Sequence, residues 1–199
     1  MKLKSEDISG HKMHKLLGTV IAPRPIALIS TVGKDGIYNA APYSAVTPVA
    51  FKPPLMCVAS GMKANQEKDT ARNIKFSKDF VINMMDDTLI EPVIRTAADY
   101  PSDVDEIKEV GLTALAADTV SSPRIAEARV SLECRLFEQL EFGTGEDHRS
   151  VFFGEVILFH INDALLKGDS VDPTRMNFVG RLGVGTYCRT TDIIKLKKS

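Results

Sequence analysis

The chain has 199 residues, enough to bury a core without metals or disulfides, and residues 1–199 read as a single domain. Its 26 acidic and 25 basic side chains cancel to a formal net charge of −1, which excludes the global field of a nucleic-acid or membrane-surface binder while leaving room for a small anionic ligand. Cys57, Cys134 and Cys188 are odd in number, far apart and outside any C-x-x-C spacing, which argues against a disulfide framework or a zinc site and for a reducing, cytoplasmic compartment.

The N-terminal residues carry charge but no apolar signal core, and no apolar run reaches the ~18 residues that span a bilayer, so neither secretion nor membrane insertion is expected. Lys12 to Leu17 suits a short helix or packed turn. His11 and His14 stand three apart but lack a third ligand nearby, so no metal is expected there. Pro23 and Pro25 restrict the backbone on both sides of Arg24 and present that side chain from a stiffened loop. Ile26 to Thr31 is a β-rich run, and Val32 to Gly36 supplies the glycines of a hairpin turn. Ile37 to Val46, with Pro42 and many small side chains, fits an edge or bulged strand where a ligand comes close to the backbone.

Thr47 to Pro54 reads as a stiff loop with three prolines, followed by a short strand from Leu55 to Ser60. A helix follows near Ala71, Ile74 and Phe76, capped by Asp69 or a polar neighbour. Phe80 to Met85 looks like a buried strand. Leu89, Ile90, Val93, Ile94, Ala97 and Ala98 recur at helical spacing and predict a helix over 88–98, with a second short helix from Val104 to Val110. Val130, Leu132, Cys134 and Leu136 alternate with polar residues, the signature of a half-buried strand. Phe142 to Arg149 is a glycine-bearing loop, and Ser150 to Ile161 is a strand in which Gly154 marks a bulge or close approach. The tail from Asn177 to Cys188 is glycine-rich. With strands outnumbering inserted helices, the fold class is mainly β with α insertions, as a barrel or sandwich.

Five segments in register, Ala22-Pro-Arg-Pro-Ile-Ala-Leu-Ile-Ser-Thr31, Asn39-Ala-Ala-Pro-Tyr-Ser44, Lys52-Pro-Pro-Leu55, Lys68-Asp-Thr-Ala-Arg-Asn-Ile74 and Glu146-Asp-His148 through Gly154-Glu-Val156, resemble the flavin reductase-like family with its FMN-binding split barrel. The resemblance implies a six-stranded split β-barrel of Greek-key type, a homodimer, a flavin (FMN, with FAD as the larger alternative), and hydride transfer to it from NADH or NADPH. Some members are instead electron carriers that a protein partner reduces. A pyridoxamine-phosphate oxidase relative fits the Pro-Arg-Pro and Asp-His pattern less well.

On that resemblance the strand Asn39, Ala40, Pro42, Tyr43, Ser44 and Ala45 lines the flavin ring, Asn39 and Ser44 offering hydrogen bonds. Its alternative is a plain edge strand with a proline. Ser60, Gly61, Lys63 and Thr70, supported by Asn73, lead into a helix whose first amides favour a phosphate, although a capped surface helix explains the same residues. Neither G-x-x-x-x-G-K-[ST] nor G-x-G-x-x-G occurs, so no P-loop or Rossmann site competes. Arg24 is the charge partner of the phosphate or of the reduced ring, and His148 matches the family's histidine near flavin and nicotinamide. Because hydride transfer needs no strong acid, His148 is assigned positioning, its alternative being a solvated loop histidine. Gly180 to Tyr187 would reach the flavin through Arg181 or Tyr187, or else form a tail turn. Cys57 packs as a small hydrophobe.

Overall fold

The structure is a computed structural model and describes residues 1–196. In chain order its elements are α1 (Gly10–Val20), β1 (Arg24–Pro25), β2 (Ala27–Val32), β3 (Tyr38–Tyr43), β4 (Val46–Phe51), β5 (Pro54–Lys63), β6 (Gln66–Glu67), α2 (Asp69–Ser77) and β7 (Asp79–Met84). There follow α3 (Ile90–Arg95), α4 (Glu106–Glu109), β8 (Ala114–Leu115), β9 (Arg124–Ile125), β10 (Val130–Phe142) and β11 (Arg149–Ile161). The two pairs β12 (Leu166–Lys167) with β13 (Ser170–Val171) and β14 (Val179–Gly183) with β15 (Thr186–Arg189) complete the chain.

The main sheet runs β3-β2-β7-β10-β11-β5-β4, with β6 attached to β5. The predicted hairpin is present: Ala27 pairs with Tyr43 and Val32 with Tyr38 around Gly36, whose φ of 78° suits glycine. Ser44 and Ala45 alone separate β3 from β4, so the two ends of the sheet path are neighbours in sequence, and Ala59 N donates to Ala45 O at 3.0 Å across that bend. Hydrogen bonding gives seven strands along this path, because the bend divides one extended stretch into β3, which pairs with β2, and β4, which pairs with β5.

Both faces of β2 are buried. Ala27 and Ile29 point into a cluster with Phe80, Ile82, Phe152 and Ile74, whereas Ile26 and Leu28 point into a second cluster with Val93, Ile107 and Ile125. Each fully buried large side chain contributes roughly 1.5–3 kcal/mol, which explains why this strand reads as an unbroken apolar run. Gly154 on β11 shows the expected close approach: a β-carbon there would lie 2.4 Å from Phe80 Cζ and 3.0 Å from Cys134 Cβ. Opposite it, β10 carries register shifts at Glu133/Cys134 and Leu136/Glu138.

Four local expectations are corrected. Residues 47–51, read as loop, form β4, since prolines are tolerated where a strand has a free edge and an irregular register, here between Pro48 and Ala50. The helix over 88–98 is only Ile90–Arg95, after a 3₁₀ turn at Asp87–Leu89; Thr96 Oγ1 donates to Val93 O at 2.8 Å and the chain leaves the helix there. Phe76 is largely exposed, leaving Thr70, Ala71 and Ile74 as the buried residues of α2. Finally, β10 is not half-buried over its first five residues. Ser131 and Glu133 are covered as well, because Glu133 accepts from Asp118 N, Thr119 N and Thr119 Oγ1 while Ser131 Oγ donates to Asn83.

Candidate functional site

The restricted Pro-Arg-Pro loop becomes β1 and pairs with the glycine-rich tail, setting Arg24 directly opposite Arg181. Like charges facing one another across a strand pair destabilise a sheet, so this placement needs a counter-charge from elsewhere. Arg24 Nη1 donates to Ser44 Oγ at 2.6 Å and Nη2 to Gly18 O at 3.1 Å, while its buried Nε has no partner. Arg181 Nε donates to Gly183 O at 3.1 Å.

Arg24 and Arg181 border a cleft of ≈ 550 Å³ together with Pro42, Tyr43, Ser44, Ala45, Ala59 and Gly61. Lys68 and Arg149 complete its basic wall. An adjoining cleft of ≈ 380 Å³ shares Pro42, Met62, Lys68 and Arg181 and contains Asn39, Lys63, Thr70 and Glu106. Among the described residues no carboxylate lies within ion-pair reach of Arg24, Lys68, Arg149 or Arg181. Arg149 satisfies itself on backbone carbonyls, those of Glu146 at 2.9 Å and His148 at 2.7 Å. Lys68 sits over the Tyr43 ring, 5.7 Å from its centroid. Burial, and then the charges of Lys63, Arg149 and Arg181, hold the Lys68 ammonium below its usual pKa against the opposing pull of Asp99. Burial and then Arg181 do the same to Arg24. The arrangement is a partly desolvated patch of cations whose mutual repulsion an anion would relieve.

Beneath the cleft lies a satisfied polar network. Thr70 Oγ1 donates to Asn39 Oδ1 at 2.9 Å, Asn39 Nδ2 to Glu106 Oε2 at 2.6 Å, and Ala40 N to the same oxygen at 3.0 Å. Burial pushes the Glu106 carboxyl up to about 7, against the opposing effect of the Ala40 and Asn39 hydrogen bonds and of Lys63. Asn73 Nδ2 donates to Thr31 Oγ1 at 3.0 Å, and Tyr43 OH shares a hydrogen bond of 3.0 Å with Ser60 Oγ, both of these side chains being buried.

The structure thus gathers Arg24, Pro42, Tyr43, Ser44, Ala45 and Gly61 around one cleft and Asn39, Lys63 and Thr70 around its neighbour. Ser60 and Ala40 are buried below the surface, and Lys63 is paired with Asp99 at 2.9 Å. Asn73 borders a separate pocket of ≈ 310 Å³ near the hairpin turn. His148 Nε2 lies 2.9 Å from Glu141 Oε2 and does not border the main cleft. Sequence reasoning missed Lys68 and Arg149. The signal for Arg149 was Gly61, a glycine inside β5 that stands opposite it in register and leaves room for the guanidinium: a β-carbon there would be 3.2 Å from Arg149 Nε.

Residues 19–176 match the family model described as "Flavin reductase like domain". An uncharacterized protein of Aquifex aeolicus is 34% identical over 199 residues, covering 99% of this chain and 100% of its own length. Among solved structures, nitrilotriacetate monooxygenase component B from Bacillus cereus superposes with a TM-score of 0.94 at 29% identity, covering 98% of each chain. The Pseudomonas fluorescens 2-nitrobenzoate 2-nitroreductase NbaA gives 0.91 at 30% identity, with 100% of this chain and 96% of that one covered. The flavoredoxin of Desulfovibrio vulgaris, at 21% identity and a TM-score of 0.77 over 87% of this chain and 90% of its own, shares the fold.

Proposed function

The chain belongs to the flavin reductase-like family, and from that premise we propose that it is a flavoprotein oxidoreductase that binds FMN in the Arg24–Arg181 cleft and passes hydride to it from NADH or NADPH. The observation that carries this reading is the excess of Arg24, Lys68, Arg149 and Arg181 over the two carboxylates of the same cleft, Glu146 and Asp147, with the buried Arg24 Nε left without a partner. A ligand combining a phosphate with a flat, hydrogen-bonding ring fits that donor set, and the cleft volume is in the range of cofactor pockets.

In this reading the four cations hold the phosphate and any negative charge that develops on the ring, whereas Pro42 to Ala45, Ala59 and Gly61 border the ring because their small side chains let a flat group approach the main chain. Flavin, when bound, supplies the two-electron redox chemistry. The chain's own contribution is to fix the cofactor, to favour its more negative state through the basic wall, and to leave a face open to the nicotinamide. The network under Asn39 and Thr70 keeps β3 rigid where the ring would lie. His148 is a positioning residue, its contact with Glu141 holding the loop that presents Arg149.

The wider reading treats residues 1–199 as one cytoplasmic domain and takes β3 and β4 as one bent strand, which makes a six-stranded split barrel working as a homodimer; FAD is the alternative flavin. That neighbours at 29% and 30% identity are described as a monooxygenase component and a nitroreductase supports the oxidoreductase class. Among the described residues no helix is long and apolar enough to cross a membrane. Because His148 does not border the cleft, the structure also favours a second reading, a flavin-binding electron carrier reduced by a protein partner. Anaerobic stopped-flow absorbance of the FMN-loaded protein separates the two. The reductase reading expects bleaching by NADH or NADPH; bleaching by dithionite but by neither nucleotide would establish the carrier.

A further inference from the structure

The N-terminal helix α1 packs over the cleft without burying a single residue. Its Gly10, His14 and Gly18 recur every four residues and share one face. A β-carbon at Gly10 would lie 2.9 Å from Asp147 Oδ1, and one at Gly18 would lie 3.3 Å from Arg24 Nη2, so the two glycines are where the helix touches the cleft's opposite rims. His14 stands midway between them, and it borders both the main cleft and a smaller one of ≈ 50 Å³ beside Arg24, Ser44 and Arg181. His11 borders the main cleft and Lys15 the smaller one, but His14 is the α1 side chain that borders both.

We infer that His14 is a further anion-binding group of this cleft, and that it takes up a proton when a phosphate-bearing ligand binds beneath α1. The inference rests on the flavin reading for the identity of that ligand. The groups facing His14 are Arg24 from β1, Arg149 from β11 and Arg181 from β14, with His11 and Lys15 on its own helix and Glu146 and Asp147 on the loop before β11. In the free protein, partial burial and then the charges of Arg149, Arg24 and Arg181 hold the imidazole below its usual pKa, despite the two carboxylates in the same cleft. A phosphate brings up to two negative charges among those guanidinium groups and offsets the repulsion they exert on His14, so the neutral imidazole becomes an imidazolium that donates to the anion. Binding then couples to proton uptake, and α1, which lacks a buried face of its own and is held by the Arg24 hydrogen bond to Gly18 O, gains a second anchor when the cleft is filled.

The test compares wild type with His14→Gln by titrating FMN and riboflavin from pH 6 to 8.5, with calorimetry in two buffers of different ionisation enthalpy. Riboflavin has the ring but no phosphate, and the ligand's own phosphate titration is common to both proteins and cancels in their ratio. For FMN, the wild-type advantage should grow from near unity at pH 8.5 to roughly three- to tenfold at pH 6, with extra proton uptake in the wild type. For riboflavin the ratio should stay near unity. An FMN ratio that is flat with pH, or equal proton uptake in the two proteins, overturns the inference and leaves the flavin reading intact. If neither flavin binds the wild type, the flavin reading falls instead, and His14 is then decided alone by its proton NMR titration with inorganic phosphate: a raised pKa supports it and an unmoved one ends it.

Discussion

Glu106 shows how a single side chain ties packing to the cleft. Its carboxyl accepts from Asn39 and from the Ala40 backbone at the floor of the cleft-bordering strand β3, and burial raises it from 4.5 to about 7. A carboxyl with a raised folded-state pKa binds its proton more tightly folded than unfolded. Its contribution to stability is therefore fully present below about pH 4.5 and is lost as pH rises through 7. Glu106→Gln keeps the acceptor oxygen and removes the titration, so relative to wild type it should gain on the order of 2 kcal/mol between pH 5 and pH 8, read from urea midpoints. Parallel pH profiles for the two proteins would show that the carboxyl stays ionised in the fold. Asn39 and Thr70, read from the sequence as ligand contacts, are linked in the structure by the hydrogen bonds that hold Glu106. Their polarity was visible in the sequence. Their internal partner, more than thirty residues further on, was not.

Among the elements, the β2–β3 hairpin was the most legible, because glycine turn chemistry and an apolar run are local properties. The role of β11 was half legible. Gly154 announced a close approach, but only the structure names Phe80 and Cys134 as the atoms that require it. Gly154→Ala should lower stability by about 1–3 kcal/mol, since neither Phe80 nor Cys134 has room to retreat inside a buried cluster. A thermal scan would register that as a drop of several degrees; an unchanged midpoint would mean that β11 shifts freely against β7 and β10. The helix over 88–98 was overread because apolar spacing does not reveal that Thr96 turns back on Val93. Similarly, β4 was hidden by Pro48 and by the Pro53-Pro54 pair that follows it, Pro48 being tolerated because β4 lies at the end of the sheet path.

At the scale of the whole molecule, the cleft is assembled from segments that are distant in sequence: Arg24 and Ser44 near the start, Lys68 before α2, Arg149 on β11 and Arg181 in the tail. Composition gave no hint of it, since a net charge of −1 conceals a cleft bordered by four Lys and Arg side chains against two carboxylates, Glu146 and Asp147. The sequence resemblance pointed to the strand from Asn39 to Ala45 and to Arg24. The tail's part depended on pairing β14 with β1, which only the folded chain displays. Arg24 facing Arg181 implies a trade between stability and binding: the pair strains the ligand-free protein and becomes favourable when an anion sits between the two side chains.

Fluorescence titration of FMN against wild type and Arg181→Met tests the account most directly, because methionine keeps an apolar stem in the wall while removing the charge. The account predicts that the wild type binds FMN and that Arg181→Met binds it roughly tenfold or more weakly, the loss expected for a charge-assisted contact to phosphate. Equal affinity of the two proteins for FMN would contradict it.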